Sequence, residues 1–287
     1  MKQLPLDREE YIEQTYFFRN YRERLEDDIP SQIILATIYE EILATTKLPM
    51  AIDFLKAEIL LTGRISDGME KLSHYFTPFQ TYILKNAEDD KSKFDQKMGL
   101  KILEREAEYR SENPTSAGLF IYQFECIARN RLGYHNGLDV ISKDTLYNDD
   151  WSAWIRKLKI QLGSVDFADL LYFRSQHFVD EQQRIPGKED FAPQYPILFS
   201  AQDGRIAKAN HDRDPLYMFA ALQRQLGYPD VPRSIAKLDK SLFHPALEAR
   251  LHKIETRLQL MDSELKGNFD LNQFIVKDPD FNDKDLD

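Results

Sequence analysis

Two oppositely charged residues, Glu125 and Arg129, lie four positions apart in the most apolar stretch of this sequence. At that spacing they share one face of a helix, and a glutamate that precedes its arginine is in the favoured orientation for an ion pair. A buried carboxylate needs a cation or a proton, so the pair has two interpretations. It is either a polar site inside a helical pocket, with His177 as a further candidate, or a structural pair that orients its helix.

A second polar cluster is the run His-Asp-Arg-Asp at 211–214. Loops often carry binding residues, and the cations here and just upstream would form a polar contact surface in an acidic protein. Asp214 also has a simpler interpretation as the N-cap of a helix that begins at Pro215. If this surface bound nucleic acid, the binding would depend on salt. The candidate contact residues are Arg205, Lys208, His211 and Arg213.

The sequence offers no familiar catalytic or metal-binding motif. No two of the six histidines are three or four positions apart, so no helix presents a pair of histidine ligands. The only cysteine, Cys126, lies in an apolar helix, where thiols are commonly buried and inert. Because glycine-rich phosphate loops and the Gly-x-Ser-x-Gly motif are also missing, we predict no catalytic residue, no metal site and no cofactor.

Near its C-terminus the chain repeats apolar residues at alternating steps of four and three, the pattern of a coiled-coil seam. The flanking charges would pair with opposite charges in a parallel copy. We expect self-association, with a different partner helix or packing on the protein's own body as alternatives. The seam residues are Leu247, Leu251, Ile254, Leu258, Met261 and Leu265. The flanking residues are Arg250, Glu255, Arg257 and Asp262.

Composition limits the class of protein. The chain has 287 residues, of which 42% are hydrophobic, enough for a substantial core. Its formal net charge of −10 disfavours nucleic acid as a partner. A single cysteine fits a reducing compartment, and the N-terminus lacks the apolar region of a signal peptide. We therefore expect a cytoplasmic protein with no membrane partner.

Patterns typical of α-helices dominate the rest of the sequence. Thr77, Pro78 and Gln80 form the pattern of a capping box at a helix start. The segment 119–132 is apolar on nearly every face and predicts a central helix. Two short apolar runs around Asp203-Gly204, at 197–199 and 205–207, predict a β-hairpin.

The sequence thus predicts a mainly α protein, a multi-helix globular domain with a small β-hairpin appendage and a short C-terminal coiled-coil helix. Residues 1–184 form the helical core, and 185–232 form a proline-rich segment with the hairpin and one helix packed on that core. Residues 233–245 are a linker, 246–267 the heptad helix, and 268–287 a short apolar motif with an acidic, disordered tail.

For function, we expect a non-catalytic cytoplasmic interaction or scaffold protein that forms a homo-oligomer through the heptad helix and binds another protein. The alternative is a helical enzyme of uncommon type with a polar pocket near Glu125 and Arg129.

Overall fold

The computed structural model describes residues 5–89, 92 and 94–233. Within them the chain forms 13 α-helices and, apart from helices, only two isolated β-bridges. The prediction of a mainly helical protein is confirmed. No helix among the described residues is both long enough and apolar enough to cross a membrane.

The helices follow one another closely along the chain. The first seven are α1 (Arg8–Glu26), α2 (Ser31–Glu41), α3 (Leu48–Thr62), α4 (Ile65–Lys71), α5 (Pro78–Ala87), α6 (Gln96–Ser111) and α7 (Ser116–Asn130). The other six are α8 (Tyr134–Ile141), α9 (Asp149–Gln161), α10 (Phe167–Tyr172), α11 (Gln176–Gln183), α12 (Ala201–Ala209) and α13 (Pro215–Leu226).

Several helices begin where the local sequence predicts. Thr77 and Gln80 form the predicted capping box at the start of α5, with Pro78 in the first turn. Asp166 caps α10 by accepting a hydrogen bond from the backbone N–H of Ala168. Asp214 caps α13 in the same way. These caps satisfy backbone donors that a helix cannot satisfy by itself.

The central position predicted for α7 is confirmed. Residues 118–127 are all buried, on every face of the helix. Phe120 in this helix packs edge-on against Trp154, with ring centroids 4.9 Å apart. Among the other described helices, α1 packs along α6. All described residues belong to one compact unit, so the segment after residue 184 packs with the helical core.

The predicted β-hairpin is wrong. Residues 201–209 form α12, and Asp203 is the third residue of that helix. Its Oδ2 atom accepts a hydrogen bond from the backbone N–H of Ser200 at 2.9 Å, and its own N–H donates to Ser200 Oγ at 3.2 Å, which makes a capping box. Residues 197–199 instead pair with residues 174–176 at the start of α11, where the backbone N–H of Leu198 donates to the carbonyl of Arg174.

The predicted heptad helix at 246–267 and the tail at 268–287 lie outside the described residues, as does the linker at 233–245 except for its first residue, Arg233. Their coiled-coil interpretation therefore stays a prediction.

Candidate functional site

A cleft of about 620 Å³ opens between α7, α8, α9, α10 and α13, beside the predicted Glu125–Arg129 pair. This volume lies in the range of small-molecule sites, about 300–1,000 Å³. Its apolar wall includes Phe124, Tyr134, Leu162, Phe167, Leu216 and Phe219. Its polar groups are Arg129, His135, Lys159, Asp166 and Asp214.

Arg129 is the most constrained polar group in the cleft. Its Nε donates to Glu125 Oε1 at 2.5 Å, so the ion pair predicted from the spacing is formed. The arginine side chain is only 16% exposed. Among the residues that the structure describes, none accepts a hydrogen bond from its two terminal nitrogens. Arg129 therefore has a fixed orientation and unused donors at the wall of the cleft.

Tyr228 holds the other side of the Glu125 carboxylate. Its hydroxyl donates to Glu125 Oε2 at 2.6 Å, and the carbonyl of Phe219 is an alternative acceptor at 3.0 Å. Burial and the adjacent Glu125 raise the pKa of Tyr228, so the hydroxyl keeps its proton and acts as a donor. With both oxygens bound, Glu125 serves to orient Arg129.

Sequence reasoning missed Tyr228, because it lies 103 positions from Glu125. The only local signal was the Tyr-Pro pair at 228–229, which indicates extended chain. The segment also packs against α7 at Asn130, whose Nδ2 donates to the carbonyl of Pro232 at 3.0 Å. Tyr228, Val231 and Pro232 are all buried.

Lys159 supplies a second cation to the cleft. Its Nζ lies 3.5 Å from Asp139 Oδ1, whereas Lys143 makes a closer contact of 2.8 Å to the other oxygen of the same carboxylate. The hydrogen bond from Lys143 is the main cause that lowers the pKa of Asp139. Lys159 is thus the weaker of the two partners of Asp139 and keeps capacity to bind another anion.

The two carboxylates of the cleft are already engaged with the backbone. Asp166 accepts from the N–H of Ala168 at 3.1 Å and from that of Asp212 at 2.8 Å. Asp214 accepts from the N–H of Leu216 at 2.9 Å. These hydrogen bonds explain why both acids are at helix starts, and they leave the cations as the groups with unused capacity.

The four residues of the predicted contact surface lie on α12 and in the loop after it, and not on a hairpin. Lys208 binds both oxygens of Glu181 in α11, at 2.7 and 2.6 Å. His211 Nδ1 lies 2.9 Å from Asp169 Oδ1 in α10. Arg205 and Arg213 are exposed, the first on α12 and the second in the loop after it. Two of the four residues therefore tie helices together.

His211 also brings together acidic groups that the sequence keeps far apart. Ligand atoms of Asp166, His211 and Asp212 lie within 4.8 Å of one another, a spacing that could hold a cation. Histidine spacing within single helices cannot reveal this set, because Asp166 lies far from His211 and Asp212 in the chain. In the structure the three residues bind one another and join the start of α10 to the loop before α13.

A second buried charge network lies between α6, α7 and the loop after α8. Arg110 donates to Glu106 Oε1 at 2.9 Å and to both oxygens of Asp144. Gln123 donates to the same Glu106 oxygen at 2.8 Å and accepts from the Tyr147 hydroxyl at 2.8 Å. All five residues are buried, so this network joins the helices that carry them.

The other candidates lie away from the cleft. His177 pairs with Glu181 on its own helix, at 3.2 Å, and does not line the cleft. Cys126 is fully buried, and burial raises the pKa of its thiol well above the ordinary value. This agrees with the expectation of an inert cysteine.

Comparison with protein families, with curated protein sequences and with solved structures gives no match for this chain.

Proposed function

We propose that this protein binds a small amphipathic molecule in the cleft and holds the molecule's anionic head at Arg129. One observation carries the proposal: the side chain of Arg129 is 16% exposed, is oriented by Glu125, and has two terminal nitrogens with no acceptor among the described residues. With its Nε already bound to Glu125, the guanidinium offers its terminal donors to an anion in the cleft that it lines. A carboxylate or sulfonate would provide them in a bidentate arrangement.

The rest of the cleft supports binding of an apolar body. Phe124, Phe167 and Phe219 form one continuous wall, with Leu162 and Leu216 beside it. Burying a ligand against such a wall contributes about 25 cal/mol per Å² of apolar surface. The polar groups orient and neutralise an anion, so binding is the activity that we propose for the pocket.

A dye titration tests the proposal. Anilinonaphthalene sulfonate, an aromatic anion, should bind the full-length protein at one site, with an increase in fluorescence. Arg129→Gln should weaken binding at least about tenfold, the effect of losing a charge-assisted hydrogen bond. Arg156→Gln is the matched control, because Arg156 is an exposed arginine of α9 outside the cleft.

Arg129→Gln leaves the buried Glu125 without its cation, which could disturb folding. The double variant Glu125→Gln/Arg129→Gln removes both charges and isolates the effect on binding. Urea unfolding shows whether each variant is folded. If both folded variants bind the dye as the original protein does, the proposed site is wrong.

We also propose self-association through residues 246–267, in a cytoplasmic protein that presents its helical body to a partner. The seam at Leu251 and Leu258 and the flanking charges of opposite sign support this proposal, and the single cysteine supports the location. Light scattering of the full chain should give a multimer, and Leu258→Lys or an end at Ser241 should give a monomer. A monomeric full chain would contradict it.

A further inference from the structure

Resting on the proposed function, we infer the class of ligand: a fused-ring aromatic acid with a single negative charge. Three features of the cleft support this class of ligand: the arrangement of its aromatic rings, the exposure of Tyr134, and the balance of its charged groups.

The cleft wall is built from aromatic rings of three helices. Phe124 of α7 stacks on Phe167 of α10, with centroids 4.2 Å apart and planes at 18°. Phe219 of α13 lies 6.1 Å from the first ring and 6.0 Å from the second. The three rings are themselves only 2–6% exposed, so they form a rigid floor on which the accessible ring of Tyr134 rests, and a flat ligand gains its aromatic contact at that ring.

Tyr134 of α8 extends the same surface to the mouth of the cleft. Its ring lies 5.6 Å from that of Phe124, with an angle of 30° between the planes, and the residue is 45% exposed. A large aromatic side chain left partly in water beside buried rings loses that exposure when a flat molecule covers it. An alkyl chain would bury similar area without the ring contacts.

The charged groups that line the cleft favour a ligand with a single negative charge. Arg129 and Lys159 have unused capacity for an anion. Asp166 and Asp214 also line the cleft, and their hydrogen bonds come from backbone donors rather than from cations within it. A second anionic group on the ligand would approach these carboxylates and be repelled. Polyphosphates and dicarboxylates are therefore poor ligands.

Calorimetric titration of the full-length protein with four probes tests this class. The probes are β-naphthoate, naphthamide, decanoate and a naphthalene dicarboxylate, which separately change the charge, the ring system and the number of charges. We expect β-naphthoate to bind at least about tenfold more tightly than each of the others. Lys159→Gln should weaken its binding and leave that of naphthamide unchanged.

The variant Tyr134→Leu tests the ring contact without disturbing the core, because the side chain is partly exposed. It should weaken β-naphthoate about fivefold and change decanoate less than about twofold. Tyr217→Leu is the control, since Tyr217 is exposed and does not line the cleft. Equal losses for both probes in Tyr134→Leu would contradict the aromatic contact.

The outcomes separate this inference from the proposed function. If decanoate binds as tightly as β-naphthoate, the aromatic class is wrong, while a loss of binding in Arg129→Gln still supports the site. If the dicarboxylate binds more tightly, the single charge is wrong. If no probe binds and anilinonaphthalene sulfonate does not bind either, the proposed function itself fails.

Discussion

Glu125 shows how a single buried carboxylate can position a binding group without contacting a ligand. One oxygen accepts from Arg129 and the other from Tyr228, at 2.5 and 2.6 Å. The two hydrogen bonds fix the carboxylate plane, and the carboxylate in turn fixes the guanidinium. Because Glu125 does not line the cleft, its contribution acts through Arg129.

Tyr228→Phe should therefore weaken binding of β-naphthoate and leave that of uncharged naphthamide unchanged. The free energy of unfolding should fall by about 1–3 kcal/mol, because Glu125 Oε2 loses its buried donor. Calorimetry and urea unfolding measure the two effects, and the exposed Tyr217→Phe serves as the control. A parallel loss for both probes would indicate a structural role for Tyr228 rather than a positioning role.

Glu106 differs from Glu125 because it shares its cation with a second acid. Burial raises its pKa above the ordinary value of 4.5, and Arg110 only partly offsets this effect. Although burial opposes the charge of Arg110, Asp144 and Glu106 hold the arginine pKa well above its ordinary value. The folded protein therefore keeps a proton on Glu106 at pH values where the unfolded chain has lost it.

The sign of the pH effect follows from linkage. A raised pKa in the folded state stabilises the protein fully below the unfolded pKa, and this stabilisation is lost as the pH rises through the folded pKa. Glu106→Gln should flatten the decline in unfolding free energy over the pH range above the ordinary glutamate pKa of 4.5. Urea unfolding across that range measures it, with the exposed Glu112→Gln as the control. An unchanged slope would show that Glu106 ionises normally.

In α12, the pair formed by Ser200 and Asp203 begins a helix where the sequence pattern predicts a hairpin. Asp203-Gly204 between two apolar runs resembles a hairpin turn, but Ser200 and Asp203 stand at the spacing of a capping box. Tertiary packing favours the helix, since Gly204 lies against Ser175, the residue before α11, and against His177 within that helix. A Cβ atom at Gly204 would lie 2.0 Å from Ser175 Oγ and 2.8 Å from His177 Cβ.

Gly204→Ala should lower the free energy of unfolding by about 1–3 kcal/mol, because α12 must move away from Ser175. Gly99→Ala is the matched control within a helix. Its nearest neighbour, Ala87 Cβ, lies at 3.2 Å, and the gain in helix propensity of up to about 1 kcal/mol offsets the crowding. Thermal and urea unfolding measure both variants. Equal stability for the two would contradict close packing of α11 and α12.

At the scale of the whole molecule, the buried tyrosines make the fold sensitive to alkaline pH. Burial raises the pKa of Tyr21 to about 12, and it raises that of Tyr122 and Tyr147 well above the ordinary value of 10.0. These groups stabilise the fold below the unfolded pKa. That stabilisation is lost as the pH rises through their folded values.

We therefore expect the free energy of unfolding to fall steadily above about pH 10, with tyrosine ionisation and unfolding occurring together. Ultraviolet absorbance of tyrosinate and circular dichroism follow the two events in one titration. Ionisation of every tyrosine before any loss of helix signal would contradict the burial of these side chains.

The cleft depends on the complete fold, because five helices line it and Tyr228 binds Glu125, which orients Arg129. Local sequence predicted the Glu125–Arg129 pair, since a four-residue spacing fixes neighbours on any helix. It also predicted the caps at Thr77 and Asp214, because each cap depends on residues only a few positions away. It could not predict that Tyr228 reaches Glu125 or that Lys159 shares the cleft.

Hydrophobic periodicity and capping act within a few turns of chain, so local sequence was enough to predict a mainly helical protein, the burial of α7 and several helix starts. The helix at 201–209, the polar contacts between helices and the position of the cleft became visible in the folded protein. These features depend on contacts between residues far apart in the chain, and such contacts leave no pattern in the local sequence.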